Sequence, residues 1–325
     1  PAATPVFTSH VSKDGAWARV ESPSAAGWVD LRDLARVDAA FNKKWTSQPL
    51  AAIVSEEVGL TARSGRSGQS GGGSASKRDG SGTAGQESLP PRQESASIGT
   101  LLPYKEVIST PGLAGEQTNE QGKKIFKVLF PLRSDDGQAE IGTADIASDN
   151  AAAWPLPLTR GRLAELGNHM LAQPYGWGGY GGNRDCSALM RDLFLPFGLW
   201  LPRNSGAQAK VGQYTDLSQL TSREKEQRIL KDGKPFITMV SMPGHIGLYL
   251  GSYHTASGYR AMLFHNVWGI RTKSPVTVLQ PAREGRAIIG KAVVTTLSPG
   301  EERGDLATPN SLLDRITGMN VIAVE

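Results

Sequence analysis

The chain contains a single cysteine in 325 residues, which excludes an internal disulfide and leaves the redox compartment undetermined. No run of residues approaches the ~20 apolar positions that a membrane-spanning helix needs. The net charge of +4 is small, and the basic residues are scattered without interleaved aromatics, so nucleic-acid binding is unsupported. Because CxxC, HExxH and phosphate-loop patterns are absent, nothing indicates a metal or a nucleotide cofactor.

The first 48 residues consist of short apolar runs separated by turn signals. Strands are predicted at Ala16–Val20 and Gly27–Leu31, joined by a Ser-Pro-Ser turn at residues 22–24. The pattern GAWARVESPSAAGWVDLRDLARV resembles the second half of a bacterial SH3-like barrel. Since the first half of such a barrel is missing and the chain opens at Pro1 without a signal peptide, we expect the natural protein to continue upstream.

Residues 49–150 form a second candidate unit. Its segment KKIFKVLFPLRSDDGQAEIGTADIA echoes the first unit, with Phe126 and Val128 at the positions of Trp17 and Val20. This similarity favours a second SH3-like module. One all-β domain of another topology remains the alternative.

A Gly/Ser-rich stretch interrupts the second unit at about residues 64–97. Such a composition buries too little apolar surface to offset the entropy lost on ordering. We therefore expect a flexible loop insertion, flanked by strands at Ala52–Leu60 and Ile98–Leu102.

Residues 151–325 change from helical to strand periodicity along the chain. Thr159 is placed to cap a helix that ends near Ala172, and a capping-box pattern at Thr221 predicts another helix to about Lys231. Four strands are predicted after these helices, at Phe236–Met242, Ile246–Gly251, Arg260–Val267 and Ala287–Thr296. Helices followed by antiparallel-type strands indicate an α+β domain, and a nucleophile on the first core helix, packed on a sheet that carries the base, would be a papain-like arrangement.

The only cysteine, Cys186, lies between a glycine-rich segment and an amphipathic helical pattern. Asp185 is a good N-cap residue for that helix, which places Cys186 in the first turn. There the helix dipole favours thiolate, the nucleophilic form. The alternative is a lone cysteine that acts as a small buried apolar residue.

A cysteine nucleophile needs a base, and the base needs an orienting partner. His245 lies at the turn into a predicted strand, and His265 lies on the neighbouring strand, so a hairpin would bring them together. His254 falls in the connecting loop and is a weaker candidate. His10 and His169 are expected to be surface or packing residues.

Four ordered motifs resemble the NlpC/P60 family of cysteine peptidases. They are P-Y-G-W-G-G at 174–179, D-C-S-A at 185–188, L-P-R-N-S at 201–205 and G-H-I-G at 244–247. Ala188 departs from the usual glycine of the second motif. The preceding SH3-like (SH3b) units strengthen the match, because family members often carry such modules.

This resemblance implies a Cys-His-His site. Cys186 would be the nucleophile, His245 the general base and His265 the residue that orients it. Tyr175 would stand at the oxyanion site together with the Cys186 amide, which meets the need for donors aimed at the developing charge.

The resemblance also implies substrate-binding positions. Asp185, Ser187 and Ser205 match residues that line the pocket for the free α-amine of the substrate in members with SH3 modules, and a carboxylate is a suitable partner for an ammonium group. Trp177 is either a substrate contact or part of the core.

The activity implied is hydrolysis, in the bacterial cell envelope, of the amide between γ-D-glutamate and meso-diaminopimelate or lysine in peptidoglycan stem peptides with a free L-Ala. The expected partner is therefore a stem peptide or muropeptide, and no cofactor is expected. Two alternatives remain open: a wall-binding protein whose SH3-like units carry the function, and an amidase or acyl transferase on the same fold.

Overall fold

The computed structural model describes residues 4–23, 25–61, 94–109, 124–255, 258–273, 284–300 and 312–322. The predicted Gly/Ser-rich insertion lies almost entirely outside these residues, and so does residue 24 of the predicted Ser-Pro-Ser turn. Within the described residues the fold is α+β, as predicted. The strands form three larger sheets and a two-stranded one.

The N-terminal sheet is antiparallel, and its strands follow the order of the chain. The strands are β1 (Phe7–Val11), β2 (Trp17–Glu21) and β3 (Ala26–Asp30). The second and third agree with prediction to within one residue at each end. Backbone and side-chain hydrogen bonds between Ser22 and Ala25 close the turn between them.

The next unit begins with helix α1 (Ala39–Thr46) and continues as a five-stranded sheet in the order β10-β4-β7-β8-β9, beside a two-stranded sheet of β5 and β6. The strands are β4 (Leu50–Ile53), β5 (Val58–Leu60), β6 (Glu94–Ala96), β7 (Leu101–Ser109), β8 (Lys124–Arg133), β9 (Ala139–Ala147) and β10 (Ala151–Ala153).

The two strands predicted on either side of the insertion differ from prediction: the first is broken into β4 and β5, and the second, predicted from Ile98, begins only at Leu101. The predicted strand Ala52–Leu60 is interrupted after Ile53, where the chain turns through Glu57 with φ 55°. A turn containing Gly99, with φ 91°, likewise separates β6 from β7. A left-handed residue ends an extended run, and hydrophobic patterning does not reveal where one occurs.

The two N-terminal units share one turn, at residues 12–16 and 134–138. In both, a serine hydroxyl donates to the aspartate two residues on, at 2.5 Å, and that carboxylate accepts from an amide at 3.1 Å. This turn joins β1 to β2 and β8 to β9. The predicted equivalence of Phe126 with Trp17 is therefore wrong, because Phe126 precedes its turn and Trp17 follows its own. Apolar alternation is alike in both strands of a hairpin, so it did not distinguish them.

The C-terminal part is built from helices that pack on a six-stranded antiparallel sheet in the order β11-β16-β12-β13-β14-β15. Its elements are α2 (Arg160–Met170), α3 (Cys186–Phe194), α4 (Ser205–Gln208), β11 (Gln213–Asp216), α5 (Ser222–Asp232), β12 (Thr238–Met242), β13 (His245–Thr255), β14 (Gly258–Lys273), β15 (Glu284–Thr296), α6 (Leu312–Arg315) and β16 (Gly318–Val321). All four predicted strands are present, three of them longer than predicted.

The predicted helix caps are confirmed. Thr159 accepts from the Arg162 amide at the start of α2, and Thr221 forms a capping box with Glu224 at the start of α5. These are the two longest helices in the part of the chain that the structure describes, at 11 residues each. None of the helices described is long and apolar enough to cross a membrane.

One hydrophobic core joins the second unit to the C-terminal part. Leu189 and Leu193 of α3 pack in the same buried cluster as Ile246 of β13, and Ala52 and Ile98 of the second unit belong to that cluster. The helix that carries Cys186 is thus covered on one side by the preceding unit.

Gly99 marks the closest approach between the two parts. A Cβ at this position would lie 2.6 Å from Asp192 Cβ and 2.9 Å from Asp192 Cα. These atoms belong to the helix itself, so Gly99→Ala forces the two parts to separate. We expect it to lower the free energy of unfolding by at least about 2 kcal/mol, measured by urea denaturation.

Gly258→Ala is the matched control. Gly258 also has a positive φ, 109°, but a Cβ at this position would meet no other heavy atom within 4 Å, so this variant carries only the cost of backbone strain. Equal losses in the two variants would contradict the close approach at Gly99.

Candidate active site

Helix α3 places Cys186 at its first position. Asp185 is the N-cap residue, as predicted, and its Oδ1 accepts from the Ala188 amide at 2.9 Å. Leu189 and Leu193 anchor the opposite side of the helix in the core. The cysteine is only 5% exposed, so the thiol lies at the bottom of the site.

The thiol contacts the strand that carries the predicted base. Cys186 and Ile246 belong to the same buried cluster. Ile246 directly follows His245, the first residue of β13. This packing joins the start of the helix to the start of the strand.

Burial and, to a smaller extent, the negative charge of Asp185 raise the pKa of the Cys186 thiol to about 11. Hydrogen bonds from the amides of Ile246 and Ser187 act in the opposite direction but are weaker. The predicted preference for thiolate is therefore wrong for the resting site, because desolvation of the anion outweighs the helix terminus. At neutral pH Cys186 is a thiol.

The two predicted histidines are in contact. His245 Nε2 lies 2.8 Å from His265 Nδ1, and both rings are buried. Gly247 permits this approach: a Cβ there would lie 2.9 Å from His265 Cβ. The second glycine of G-H-I-G thus leaves room for the side chains of Leu263 and His265 on the neighbouring strand.

Both imidazoles are neutral at neutral pH. Burial lowers the pKa of His245 to about 4, with a smaller contribution from the positive charge of Arg315. Burial and the neighbouring His245 hold the pKa of His265 well below its usual value. Neutral His245 is thus able to take a proton from the thiol during attack on a substrate.

Tyr175 lies beside the thiol in a group of aromatic rings. Its ring centroid is 5.0 Å from that of Trp177 and 6.1 Å from that of Trp268. Burial raises the pKa of the Tyr175 phenol, and the negative charge of Asp185 adds to the effect. The phenol therefore stays protonated and able to donate. Trp177 is 60% exposed, which places it on the surface and not in the core.

Asp185 is already paired in the structure. Arg203 donates to both carboxylate oxygens, at 2.9 and 2.7 Å, and Ser187 donates to Oδ1 at 3.1 Å. Burial alone would raise the pKa of Asp185, but the hydrogen bonds from Arg203 and the Ala188 amide outweigh it and keep the pKa below its usual range. Oδ2 accepts only from Arg203, so it is the oxygen with capacity for another donor.

Ser205 stands in the first turn of α4, whose N-cap residue is Asn204. Gln208, at the end of this short helix, is fully buried and donates to the carbonyls of Ser187 and Pro202 at 2.8 Å each. This amide ties the L-P-R-N-S segment to the nucleophile helix and keeps Arg203 beside Asp185.

A buried arginine two residues before the thiol connects several elements. Arg184 donates to Asp192 at 2.8 Å and to the Ile98 carbonyl at 2.6 Å, and Glu56 lies 3.1 Å away as a second carboxylate. Its own carbonyl accepts from Asn266, the neighbour of His265. The segment before Cys186 is thereby fixed to the second N-terminal unit and to β14.

Sequence reasoning missed Arg203, Gln208, Arg184 and Asn266. Arg203 and Gln208 lie in or just after a motif that was recognised, so their polar character was the available signal. The sequence carried no signal for Arg184 and Asn266, because the residues that they contact are distant along the chain. His254 lies near the opposite end of β13 from His245, and its ring meets that of Tyr259 edge to face. Among the described residues, no group of three His, Cys, Asp or Glu side chains is arranged to hold a metal ion.

The raised thiol pKa makes a direct prediction. Alkylation of Cys186 by iodoacetamide should be slow at pH 7 and should rise about tenfold per pH unit until the pH nears 11. Because the chain has one cysteine, mass spectrometry of the intact protein reports this site alone. A rate that levels off below pH 8 would instead indicate a preformed thiolate–imidazolium pair.

Comparisons with known proteins agree with this architecture. Residues 172–267 match the NlpC/P60 family, and residues 1–30 match the SH3 domain (SH3b1 type). A γ-D-glutamyl-L-lysine dipeptidyl-peptidase of Bacillus subtilis (strain 168) is 33% identical over 90 residues, which are 27% of this chain and 28% of that protein.

Two solved structures share the fold. An NlpC/P60 endopeptidase from Photobacterium damselae subsp. piscicida has a TM-score of 0.74 at 24% identity, over 99% of this chain and 64% of that chain. An NlpC/P60 family protein from Bacillus cereus ATCC 10987 has a TM-score of 0.55 at 14% identity, over 99% and 80%. The present chain thus spans about two thirds of the first structure and matches little more than a quarter of the curated relative. The chain thus shares the fold of two NlpC/P60 structures, and its residues 172–267 match that family while residues 1–30 match an SH3 domain of the SH3b1 type.

Proposed function

We propose that the chain is a cysteine endopeptidase that hydrolyses the amide between γ-D-glutamate and a diamino acid, meso-diaminopimelate or lysine, in peptidoglycan stem peptides. The observation that carries this proposal is the packing of Cys186 and Ile246 in one buried cluster, directly beside the 2.8 Å contact between His245 and His265. This packing supports the proposed roles of Cys186 as nucleophile, His245 as neutral base and His265 as orienting group.

In the first half-reaction His245 takes the thiol proton as the Cys186 sulfur attacks the γ-carbonyl carbon. The carbonyl oxygen becomes an oxyanion, for which the Cys186 amide and the Tyr175 phenol are the proposed donors. Collapse of this intermediate breaks the C–N bond, and His245 returns the proton to the leaving amine of the diamino acid. A thioester to Cys186 remains.

In the second half-reaction a water molecule takes the position of the departed amine. His245 removes a proton from this water as its oxygen attacks the thioester carbon. The sulfur leaves and recovers a proton from His245, and the γ-carboxylate of D-glutamate is released. His265 would orient His245 throughout by the 2.8 Å contact between its Nδ1 and His245 Nε2.

The free L-Ala end of the stem is the proposed ligand of Asp185, with Ser187 and Ser205 beside it. An ammonium group would share Asp185 with Arg203, and Oδ2 has the capacity to accept from it. The relative from Bacillus subtilis is described as acting on γ-D-glutamyl-L-lysine, which supports the bond type. The substrate would place the protein in the cell envelope.

Cys186→Ala should abolish release of the diamino acid fragment from a synthetic stem peptide, because no other group supplies the nucleophile. His245→Ala should have the same effect, measured by chromatography of the products. His254→Ala is the control, since His254 lies near the opposite end of β13 and contacts Tyr259 edge to face, and it should retain full activity. Hydrolysis by Cys186→Ala at the wild-type rate would refute the assignment.

Acetylation of the L-Ala amine tests the binding mode separately. Loss of a charge-assisted hydrogen bond to Asp185 should lower kcat/KM by roughly tenfold to a hundredfold. The measurement compares free and acetylated stem peptides that contain lysine or diaminopimelate. Equal rates for the free and acetylated forms would remove the amine site from the proposal and leave the cysteine peptidase assignment in place.

A further inference from the structure

A chain of hydrogen bonds continues past the two histidines to the last strand of the sheet. His265 Nε2 lies 3.0 Å from the hydroxyl oxygen of Thr295 on β15. That hydroxyl donates to the Thr296 carbonyl at 2.8 Å. Thr295 is paired with Leu263 across the sheet, so its side chain emerges on the same face as that of His265, two residues further along β14.

Donor and acceptor counting fixes the proton positions along this chain. A threonine hydroxyl has one proton, and here it is directed to a carbonyl, which accepts only. Toward His265 the hydroxyl must therefore accept, which requires the proton of that ring to be on Nε2. A neutral imidazole carries a single ring proton, so His265 Nδ1 is an acceptor.

The same count of donors and acceptors fixes the proton position on His245. Because His265 Nδ1 accepts, the 2.8 Å contact must be donated by His245 Nε2. The ring of His245 is neutral, so its other nitrogen, Nδ1, holds a lone pair. Nδ1 of His245 is then the atom that takes a proton.

We propose that Thr295 is a positioning residue that sets the tautomers of His265 and His245 and so leaves His245 Nδ1 unprotonated and basic. This inference rests on the proposed function. Thr295 does not touch the substrate and acts only through the two imidazoles. When His245 gains a proton from Cys186, its Nε2–H bond to His265 becomes charge-assisted and stronger.

The opposite tautomer pair explains why the hydroxyl matters. If His265 carried its proton on Nδ1, it would donate to His245 Nε2, and the proton of His245 would be on Nδ1. The base would then be blocked. With Thr295 in place this state leaves the unprotonated Nε2 of His265 facing a hydroxyl oxygen whose only proton is engaged elsewhere.

Thr295→Val removes the hydroxyl while keeping the shape of the side chain. It should lower kcat for stem-peptide hydrolysis by about tenfold to a hundredfold and leave KM within about twofold, because substrate contacts are unchanged. Thr295→Ser keeps the hydroxyl and should recover most of the lost kcat. A Thr295→Val enzyme with wild-type kcat would overturn the proposal.

Thr238→Val is the matched control. Thr238 is a fully buried threonine of the same sheet, on β12, and its hydroxyl accepts from the Lys234 amide. This variant also loses one buried hydrogen bond, but it should retain wild-type kcat per folded molecule. An equal loss of kcat in both variants would show that the Thr295 effect is a general consequence of weakening the sheet.

Nitrogen-15 NMR of the imidazoles tests the tautomers without catalysis. In the Cys186→Ala protein labelled at histidine, both His245 and His265 should carry their protons on Nε2, and Thr295→Val should shift the pair toward Nδ1. A proton on His265 Nδ1 in the presence of Thr295 would overturn the inference. If the tautomers are as stated and no stem peptide is hydrolysed by the wild type, the proposed function fails while the role of Thr295 in setting the tautomers stands.

Discussion

The position of the thiol depends on one buried cation, Arg184. Its side chain donates a hydrogen bond to Asp192 on the nucleophile helix. In the preceding unit it donates to the Ile98 carbonyl and forms an ion pair with Glu56. Removing one member of such a cluster leaves an uncompensated buried charge, which typically costs several kcal/mol. Since Cys186 follows Arg184 by two residues, the second N-terminal unit helps to build the site and is more than an appended module. The carbonyl of Arg184 extends the same constraint to Asn266, beside His265.

The charges that the site residues carry follow from the exclusion of water. Cys186, His245 and His265 are all under 10% exposed, and low polarity disfavours every charged form. A neutral thiol and a neutral imidazole can coexist in such a place, whereas a separated ion pair would need stabilisation that the described residues do not supply. Proton transfer is then coupled to the attack on the carbonyl, as in enzymes that use a hydroxyl nucleophile. A helix terminus alone does not decide the charge of a cysteine when the surroundings exclude water.

Local signals predicted much of this architecture. The caps at Thr159, Asp185 and Thr221 fixed three helix starts, and alternation located the strands that carry His245 and His265. Long-range packing could not be predicted from the sequence. Gly99 packs against Asp192, and Arg184 pairs with Glu56, but no periodicity links positions so far apart along the chain. The register between the two N-terminal units was misjudged because apolar alternation repeats in every strand. The S-x-D-G turn at residues 12–15 and 134–137 would have fixed it, since its side-chain bonds recur at equal spacing.

The pairing of Arg203 with Asp185 links recognition to reactivity. The charge of Asp185 raises the pKa of Cys186, and Arg203 compensates that charge from one side only. Any ligand that brings a second positive group to Asp185 must, through the same field, make the thiol more acidic. A neutral group at that point has no such influence. The Asp185 carboxylate thus couples ligand binding to the reactivity of the sulfur. A positive group bound to this carboxylate makes the Cys186 thiol more acidic.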